Sequence, residues 1–527
     1  MALPTKALGT DSFPPARAHS LVRNVAANTA SYLTTLAAAF LMFPVMIHKL
    51  GPARYGLWML ISEITGYYSY VGLGIRAGVV YYAALYLAQG KHRELNQIVS
   101  TSIWSLAGVG AALALSGFGL AALFPSLFSP AGLDLREAAQ SIVVMSFAVG
   151  LSLPIEAMNS TLTAAKRLDI VNVIEMTSRA VSSVAMLICV LNGRGLVPLS
   201  LIQLGSRILV LPCLYVAILR ILPGISLSPR HWHLGHLKQL GRFGLPSVMI
   251  GLGWLVSSRT DLVVIGMALG VSTVTYYAIP RSLMEYADSG IRAIAWSFTS
   301  HLTHLHARDK TAATVQLYLQ GARITGLAVF LLTAYIAAFG TPFLTVWQGS
   351  AFVTGPWRDR SSVVLLILVA AFLPRLMQNM ATQLFYATNR LRFLMWISLT
   401  EGAIKIALSL LLVKPYGLAG VAFSNLMPML IFEGLAIPAY LFRNYPFPLG
   451  AYFRDVLGRP LLTGIAAYLV SAGLVAWRQP RDWKLFFLET TLAGAVGLAA
   501  AVAIGTTAAE RDAFRERGMI LEETSAP

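Results

Sequence analysis

Apolar runs of about 20 residues, the length that crosses a bilayer as an α-helix, recur along the whole chain of 527 residues. Short polar connectors separate these runs, and several contain helix breakers, as in Leu50-Gly51-Pro52 and Gln479-Pro480. The pattern predicts an all-α membrane protein of about 14 transmembrane helices. The predicted spans are 24–47, 55–74, 97–124, 138–159, 170–191, 196–220, 241–257, 262–284, 315–343, 362–386, 393–413, 417–441, 458–477 and 484–506.

The composition supports this assignment. Charged residues make up 12% of the chain and apolar residues 56%, whereas a soluble domain carries about 25% charged residues. So few polar side chains cannot cover a water-soluble particle of this length, but a lipid-facing surface does not need them. The first apolar run, at 25–47, is too long for the hydrophobic part of a signal peptide, so it is interpreted as the first span.

The distribution of charge predicts the orientation. The net charge of +17 arises from 40 Lys and Arg against 23 Asp and Glu. These basic residues are spread through the connectors, whereas a nucleic-acid-binding protein concentrates them on a polar domain. With the amino terminus in the cytoplasm, the tails and even-numbered connectors hold about twice as many Lys and Arg as the opposite side. The positive-inside rule therefore predicts that both termini are cytoplasmic.

An internal repeat organises the chain further. Gly74-Ile75-Arg76-Ala77 recurs as Gly290-Ile291-Arg292-Ala293, and shorter pairs such as Leu50-Gly51 with Leu269-Gly270 keep the same order at a spacing of about 220 residues. Two parallel copies of a six-helix unit are typical of alternating-access transporters, which bind substrate between the halves. The expected division is a cytoplasmic tail at 1–22, an N-terminal six-helix lobe at 23–225, a C-terminal six-helix lobe at 226–445, an additional transmembrane helix pair at 446–506 and a cytoplasmic tail at 507–527.

Motifs in the first 95 residues are similar to those of a known family. The segment Tyr55-Gly56-Leu57-Trp58 leads into a span ending Gly72-Leu73-Gly74-Ile75, and Gln89-Gly90-Lys91 follows a tyrosine-rich stretch. This order resembles the Wzx-type polysaccharide (O-antigen and exopolysaccharide) flippases of the multidrug/oligosaccharidyl-lipid/polysaccharide exporter superfamily. The resemblance extends over the whole chain as twelve spans plus two. It implies a protein of the bacterial cytoplasmic (inner) membrane that moves an undecaprenyl-diphosphate-linked oligosaccharide for surface polysaccharide, including lipopolysaccharide, biosynthesis.

A second stretch suggests candidate binding residues. Arg281-Ser282-Leu283-Met284-Glu285-Tyr286 resembles the Arg-Leu-Met-Glu-aromatic segment of lipid II flippases, with one extra residue between Arg and Glu. Either spacing places Arg281 and Glu285 on one helical face. The resemblance implies that this pair takes part in transport.

Four arginines, Arg23, Arg76, Arg281 and Arg292, are predicted to lie at the cytoplasmic ends of spans 1, 2, 7 and 8. They are either positive-inside anchors or a cationic mouth for a diphosphate, because guanidinium groups match phosphate oxygens. Arg259-Thr260-Asp261 is predicted at the turn between spans 7 and 8, where Arg259 and Asp261 either cap helix ends or line the cavity. Together with Glu285, these residues form the candidate substrate-binding set.

Other side chains have two open interpretations. Glu401 and Lys405 lie four residues apart within a span and are expected to neutralise each other. The tyrosines at 67, 68, 70, 81, 82 and 86 either form an interfacial belt or stack on sugar rings. The histidine clusters lack nearby cysteine or acidic partners, so we expect no metal site, and without a phosphate-binding loop we expect no cofactor.

The sequence thus predicts a transporter rather than an enzyme. The expected function is flipping of a lipid-linked oligosaccharide by alternating access, with membrane lipid and a coupling ion as further ligands, polysaccharide polymerase machinery as a protein partner, and no nucleic acid. One alternative is a cation-coupled multidrug exporter of the same superfamily, for which Glu63, Glu156 and Glu175 are candidate coupling residues. A membrane polysaccharide polymerase is a further alternative, but it needs a larger extracytoplasmic loop than the connector near 344–361.

Overall fold

The computed structural model describes residues 18–128 and 134–505, and between residues 18 and 39 only the backbone is described. Nearly all of these residues are helical. The helices are α1 Ala18–Gly66, α2 Leu73–Ala88, α3 His92–Leu127, α4 Leu135–Ala164, α5 Leu168–Leu191, α6 Leu196–Ile221, α7 Leu234–Ala268, α8 Val271–Trp296, α9 Thr299–Ala307, α10 Thr311–Gln348, α11 Ser361–Met377, α12 Asn379–Ala387, α13 Leu391–Met429, α14 Ile437–Asn444, α15 Leu449–Ala451, α16 Arg459–Trp477 and α17 Trp483–Ala500.

Two of the longest helices each contain two spans. Gly51, with φ of 78°, interrupts α1, and Gly417, with φ of 58°, interrupts α13. Only glycine adopts such left-handed backbone angles without steric cost. The second span begins after Gly51 and continues through a 3₁₀ turn, Tyr67–Gly72, into α2, with a bend of 43°. Short π-helical segments likewise join α13 to α14 and α15 to α16.

Counted in this way, the described part of the chain contains fourteen helical spans, which confirms the predicted multi-pass membrane architecture. Nine helices within that part are long and apolar enough to cross a membrane unaided, and the bent pair Met42–Tyr70 with Gly74–Ala88 raises the number to ten. One of the nine, Leu391–Asn444, is the pair of spans divided at Gly417. The α8 helix carries four charged residues along its length, Arg281, Glu285, Asp288 and Arg292.

The backbone of two pairs of connectors agrees with the predicted six-helix repeats. Gly51 and Gly270 occupy matching positions and have φ of 78° and 94°. Lys166 and Asn389, which precede Arg167 and Arg390 of the two copies, have φ of 60° and 55°. Non-glycine residues seldom take positive φ, so the shared values show that equivalent turns are built in the same way. The added pair, α16 and α17, packs on α10, where Gly464 contacts Phe330 and Gly497 contacts Tyr335.

Two boundaries differ from the predicted ones, and the difference affects the site. The prediction placed a turn at Arg259-Thr260-Asp261, but α7 is continuous to Ala268 and the turn lies at Gly270. The prediction was therefore wrong about Arg259 and Asp261 as caps at a helix end. Charged residues interrupt the apolar run here, as they would in a connector between two spans. They lie instead on the polar face of one continuous helix.

The repeats pack together at one end and contact less broadly at the other. One large apolar core contains Leu60 and Ile61 of the first repeat together with Leu262 and Ile265 of the second. A second core belongs almost entirely to the first repeat and includes only Leu240 from α7. This arrangement leaves a cavity between the repeats.

Candidate functional site

The cavity between the repeats is a chamber of about 690 Å³, called here the central chamber. The first repeat contributes Tyr70, Arg76 and Glu156, and the second repeat contributes most of the remaining lining from α7, α8 and α11 to α13. A smaller recess of about 130 Å³ adjoins it, lined by α7, α8, α11 and α13. The two spaces share four charged lining residues: Arg259, Asp288, Arg292 and Arg375.

The central chamber carries balanced charge. Its basic residues are Arg76, Arg259, Arg292 and Arg375, and its acidic residues are Glu156, Asp288, Glu401 and Glu433. The basic residues of the chamber thus face an equal number of acidic ones, and the role of the arginines as a cationic mouth for a diphosphate stays a prediction. A charged side chain within a membrane is costly unless it has a partner or faces water, so equal numbers of opposite charge stabilise the chamber.

Several of these charges form ion pairs, two of which connect different helices. Arg76 lies 3.4 Å from Glu156, which links α2 to α4, and Arg375 lies 4.0 Å from Glu401, which links α11 to α13. Arg292 pairs with Asp288 along α8. Arginine suits such sites because its guanidinium group stays charged and presents several donors in one plane.

Arg281 is a buried cation of the recess with several polar contacts. Its side chain is only 7% exposed and forms ion pairs with Glu63 of the second span and with Glu285 at 2.8 Å. It also donates to the backbone oxygen of Ser258. Arg281 lies ten residues into α8, so its predicted position at a helix end is wrong. The α8 helix begins later than predicted, which moves Arg281 to the middle of the span.

Asp261 is the centre of a fully buried polar network. Its carboxylate accepts from Tyr277 at 2.8 Å and from Asn425 at 3.2 Å, and it lies 3.0 Å from the Lys405 ammonium. Lys405 thus forms its ion pair with α7 and Glu401 forms one with Arg375. The expectation that Glu401 and Lys405 neutralise each other within one helix did not include these two ion pairs, which connect different helices.

Six of the seven candidate residues line the chamber or its recess. Arg76 lines the chamber, Arg259 and Arg292 line both spaces, and Arg281, Glu285 and Asp261 line the recess. The side chain of Arg23 lies outside the described residues. Arg76 lies within the long second span rather than at its end, because that span continues to Ala88.

The tyrosine-rich segment takes part in a contact between the repeats. Tyr81 stacks on Phe243 of α7 with ring centroids 4.8 Å apart, and Tyr82 meets the same ring edge-on. Tyr86 contacts His236 on the same helix. The backbones approach closely beside these rings, since a Cβ atom on Gly244 would lie 2.0 Å from the carbonyl oxygen of Gly74. Tyr70, in contrast, lines the central chamber.

An apolar groove of about 700 Å³ lies on the opposite face of α8, called here the α8 groove. Leu283, Gly290 and Ile294 form its α8 wall, and helices α10 and α17 supply the other walls, which include Leu332 and Phe486. One face of α8 is therefore charged and faces the recess, while the other is apolar and faces the α8 groove.

Several site residues escaped prediction from the sequence. Asp288, Asn379 and Gln383 line the chamber but were not in the candidate set, and Glu63 was considered only as a coupling residue. A usable signal existed for Asp288, because Arg292 follows it four residues later on a helix. The contact between Glu63 and α8 had no local signal, since its partners are about 200 residues distant.

Comparison with known proteins supports the assignment of fold and family. A family model described as polysaccharide biosynthesis protein matches residues 50–354. No curated protein matches the chain.

Among solved structures, the lipid II flippase MurJ in an inward closed conformation has a TM-score of 0.68 and 12% identity, covering 91% of this chain and 98% of its own. An inward-facing multidrug resistance MATE family transporter of the MOP superfamily has a TM-score of 0.62 and 15% identity, covering 79% of this chain and 96% of its own. The MATE multidrug transporter DinF-BH has a TM-score of 0.62 and 13% identity, covering 83% of this chain and 98% of its own.

These structures are of transporters and of a flippase, and at this identity they establish the shared fold. The family model spans more than half of the sequence, including the chamber-lining parts of α2, α7 and α8. The chain therefore belongs to the polysaccharide biosynthesis protein family and has the fold of the MOP superfamily transporters.

Proposed function

We propose that this protein flips an undecaprenyl-diphosphate-linked oligosaccharide across the bacterial cytoplasmic membrane for surface polysaccharide biosynthesis. It works by alternating access and is a transporter, not an enzyme. Both termini lie in the cytoplasm in this proposal. The observation that carries it is the arrangement of α8, which separates a charged recess from an apolar groove.

A lipid-linked saccharide needs both environments at once. Its diphosphate requires cationic donors, for which guanidinium groups are well suited, and its polyprenyl chain requires an apolar surface. In this proposal Arg281, Arg259 and Arg292 bind the diphosphate in the recess, the saccharide occupies the central chamber, and the chain lies along the α8 groove. Asn379 and Gln383 supply amide groups in the chamber for sugar hydroxyls.

The diphosphate role of Arg281 predicts the result of a charge reversal. In cells that depend on this gene for surface polysaccharide, Arg281→Glu should abolish complementation, because it places a carboxylate beside Glu63 and Glu285. The measurement is the amount of lipid-linked saccharide on the cytoplasmic face together with surface polysaccharide. Arg454→Glu, at an exposed side chain of the added pair's first segment, serves as the control and should complement.

Normal flipping by Arg281→Glu at wild-type expression would eliminate Arg281 as a phosphate ligand. Deletion of the gene provides the wider test: lipid-linked saccharide should accumulate and surface polysaccharide should be lost. Intact polysaccharide with increased drug sensitivity would instead support a multidrug exporter. That second function is favoured by the acidic chamber residues Glu156, Asp288, Glu401 and Glu433, which suit a cationic substrate.

A further inference from the structure

Glu63 connects the two repeats through a single carboxylate. It lies on the second span, in the first repeat, and its side chain is 8% exposed. One carboxylate oxygen pairs with Arg259 of α7, and the other lies 2.5 Å from a guanidinium nitrogen of Arg281 on α8. Two cations of the second repeat therefore hold one anion of the first.

The local structure is built around this contact. Gly66, three residues after Glu63, leaves room for the Arg259 guanidinium, because a Cβ atom there would lie 3.1 Å from its Nη1 atom. Tyr70, one turn further, forms a side-chain hydrogen bond with Arg259. One face of the second span thus holds Arg259 at the entrance of the recess.

The same two arginines line the recess that adjoins the central chamber. A guanidinium group binds carboxylate and phosphate oxygens with the same fork of donors. The carboxylate of Glu63 therefore occupies the place that a phosphate group would take between Arg259 and Arg281. An anion arriving through the chamber must compete with it.

We propose that Glu63 is a built-in competitor for the phosphate groups of the substrate, and that its displacement loosens the contact between the repeats. This inference rests on the proposed function. When a diphosphate binds Arg259 and Arg281, Arg281 keeps its ion pair with Glu285, and Glu63 is released toward the chamber. Without an anion, separating the repeats would leave buried charges unpaired, which is strongly unfavourable.

The consequence is coupling between binding and movement. A ligand shifts a conformational equilibrium only by its differential affinity for the two states. Here the difference in affinity arises because the diphosphate replaces the carboxylate of Glu63, which holds the repeats together. A neutral lipid cannot replace this carboxylate, so the arrangement selects for a substrate with an anionic head group.

The test compares Glu63→Gln with wild type in the full-length protein in lipid nanodiscs, with farnesyl diphosphate as the probe and farnesol as the uncharged reference. Glu489→Gln is the matched control, because Glu489 of α17 is 4% exposed and undergoes the same chemical change. Glu63→Gln should bind farnesyl diphosphate about tenfold more tightly, since a charged competitor is removed. Glu489→Gln should match wild type.

Equal or weaker binding by Glu63→Gln, with wild type binding the diphosphate, would overturn the inference and leave the proposed function standing. Absence of diphosphate binding by both wild type and Glu489→Gln would overturn the proposed function itself. A second measurement does not depend on whether Glu63→Gln folds. In wild type, farnesyl diphosphate should accelerate hydrogen exchange in the segment around Glu63, and farnesol should not. Unchanged exchange with bound diphosphate would also contradict the inference.

Discussion

At the scale of single residues, the site is a set of buried charges that stabilise one another. Asp261 and Lys405 are each 3% exposed as side chains and lie 3.0 Å apart. Removing one member of such a pair leaves an uncompensated charge, whereas removing both can be nearly neutral. The stability of this region therefore depends on matched charges more than on the presence of any one of them.

This asymmetry predicts the behaviour of Lys405 variants. Lys405→Met should lower the free energy of unfolding by about 3 kcal/mol or more, because Asp261 keeps its charge without its ammonium partner. The double variant Lys405→Met with Asp261→Asn should recover most of the loss. Thermal unfolding in detergent provides the measurement.

Arg454→Ala is the control for this prediction. Its side chain is 71% exposed and pairs with Asp455 at the surface, where an ion pair contributes about 0–1 kcal/mol. If the double variant is as unstable as Lys405→Met, Lys405 stabilises the region by packing rather than by its charge.

At the scale of helices, glycine decides how closely the repeats approach. The α2 and α7 helices meet at Gly74 and Gly244, beside the stacked rings of Tyr81 and Phe243. Small residues at a crossing let helices in a membrane pack backbone to backbone. The contact therefore has no room for an additional methyl group.

Gly244→Ala should consequently destabilise this conformation by about 1–3 kcal/mol, the usual cost of overpacking. Gly241→Ala on the same helix is a strict control, since nothing lies within 4 Å of a Cβ atom there. It should leave stability unchanged or raise it by about 0.5–1 kcal/mol through helix propensity. Thermal unfolding of both variants is the measurement, and equal behaviour would contradict the close contact.

At the scale of the whole molecule, the added helix pair completes a surface that two six-helix repeats do not have by themselves. Phe486 and Thr490 of α17 form part of the α8 groove, together with residues of α8, α10 and α11. The twelve-span part contains the charged chamber, and the extra pair closes the apolar side. This division matches a substrate with a charged head and a hydrocarbon tail.

A large side chain in the α8 groove should therefore test the contribution of the hydrocarbon tail separately from that of the charged head. Ala328→Trp places a large side chain against the groove wall and should reduce transport of a polyprenyl-linked saccharide at least about tenfold, because the chain loses its apolar surface. Ala112→Trp, on an exposed face of α3, should transport normally. Transport assays in proteoliposomes distinguish these outcomes, and normal transport by Ala328→Trp would remove the groove from the pathway.

The sequence by itself indicated most of the helical spans, the repeat and six of the charged residues that line the chamber and its recess. These features depend on local or periodic signals: apolar length, glycine at turns such as Gly51, and charges within apolar runs such as Lys405. Only the tertiary structure decided which charges pair. Glu63 with Arg259 and Arg281, and Asp261 with Lys405, come from distant parts of the chain. Helix periodicity places a charge on a face of its own helix, but packing between helices brings its partner within reach, and that packing depends on shape complementarity along whole helices.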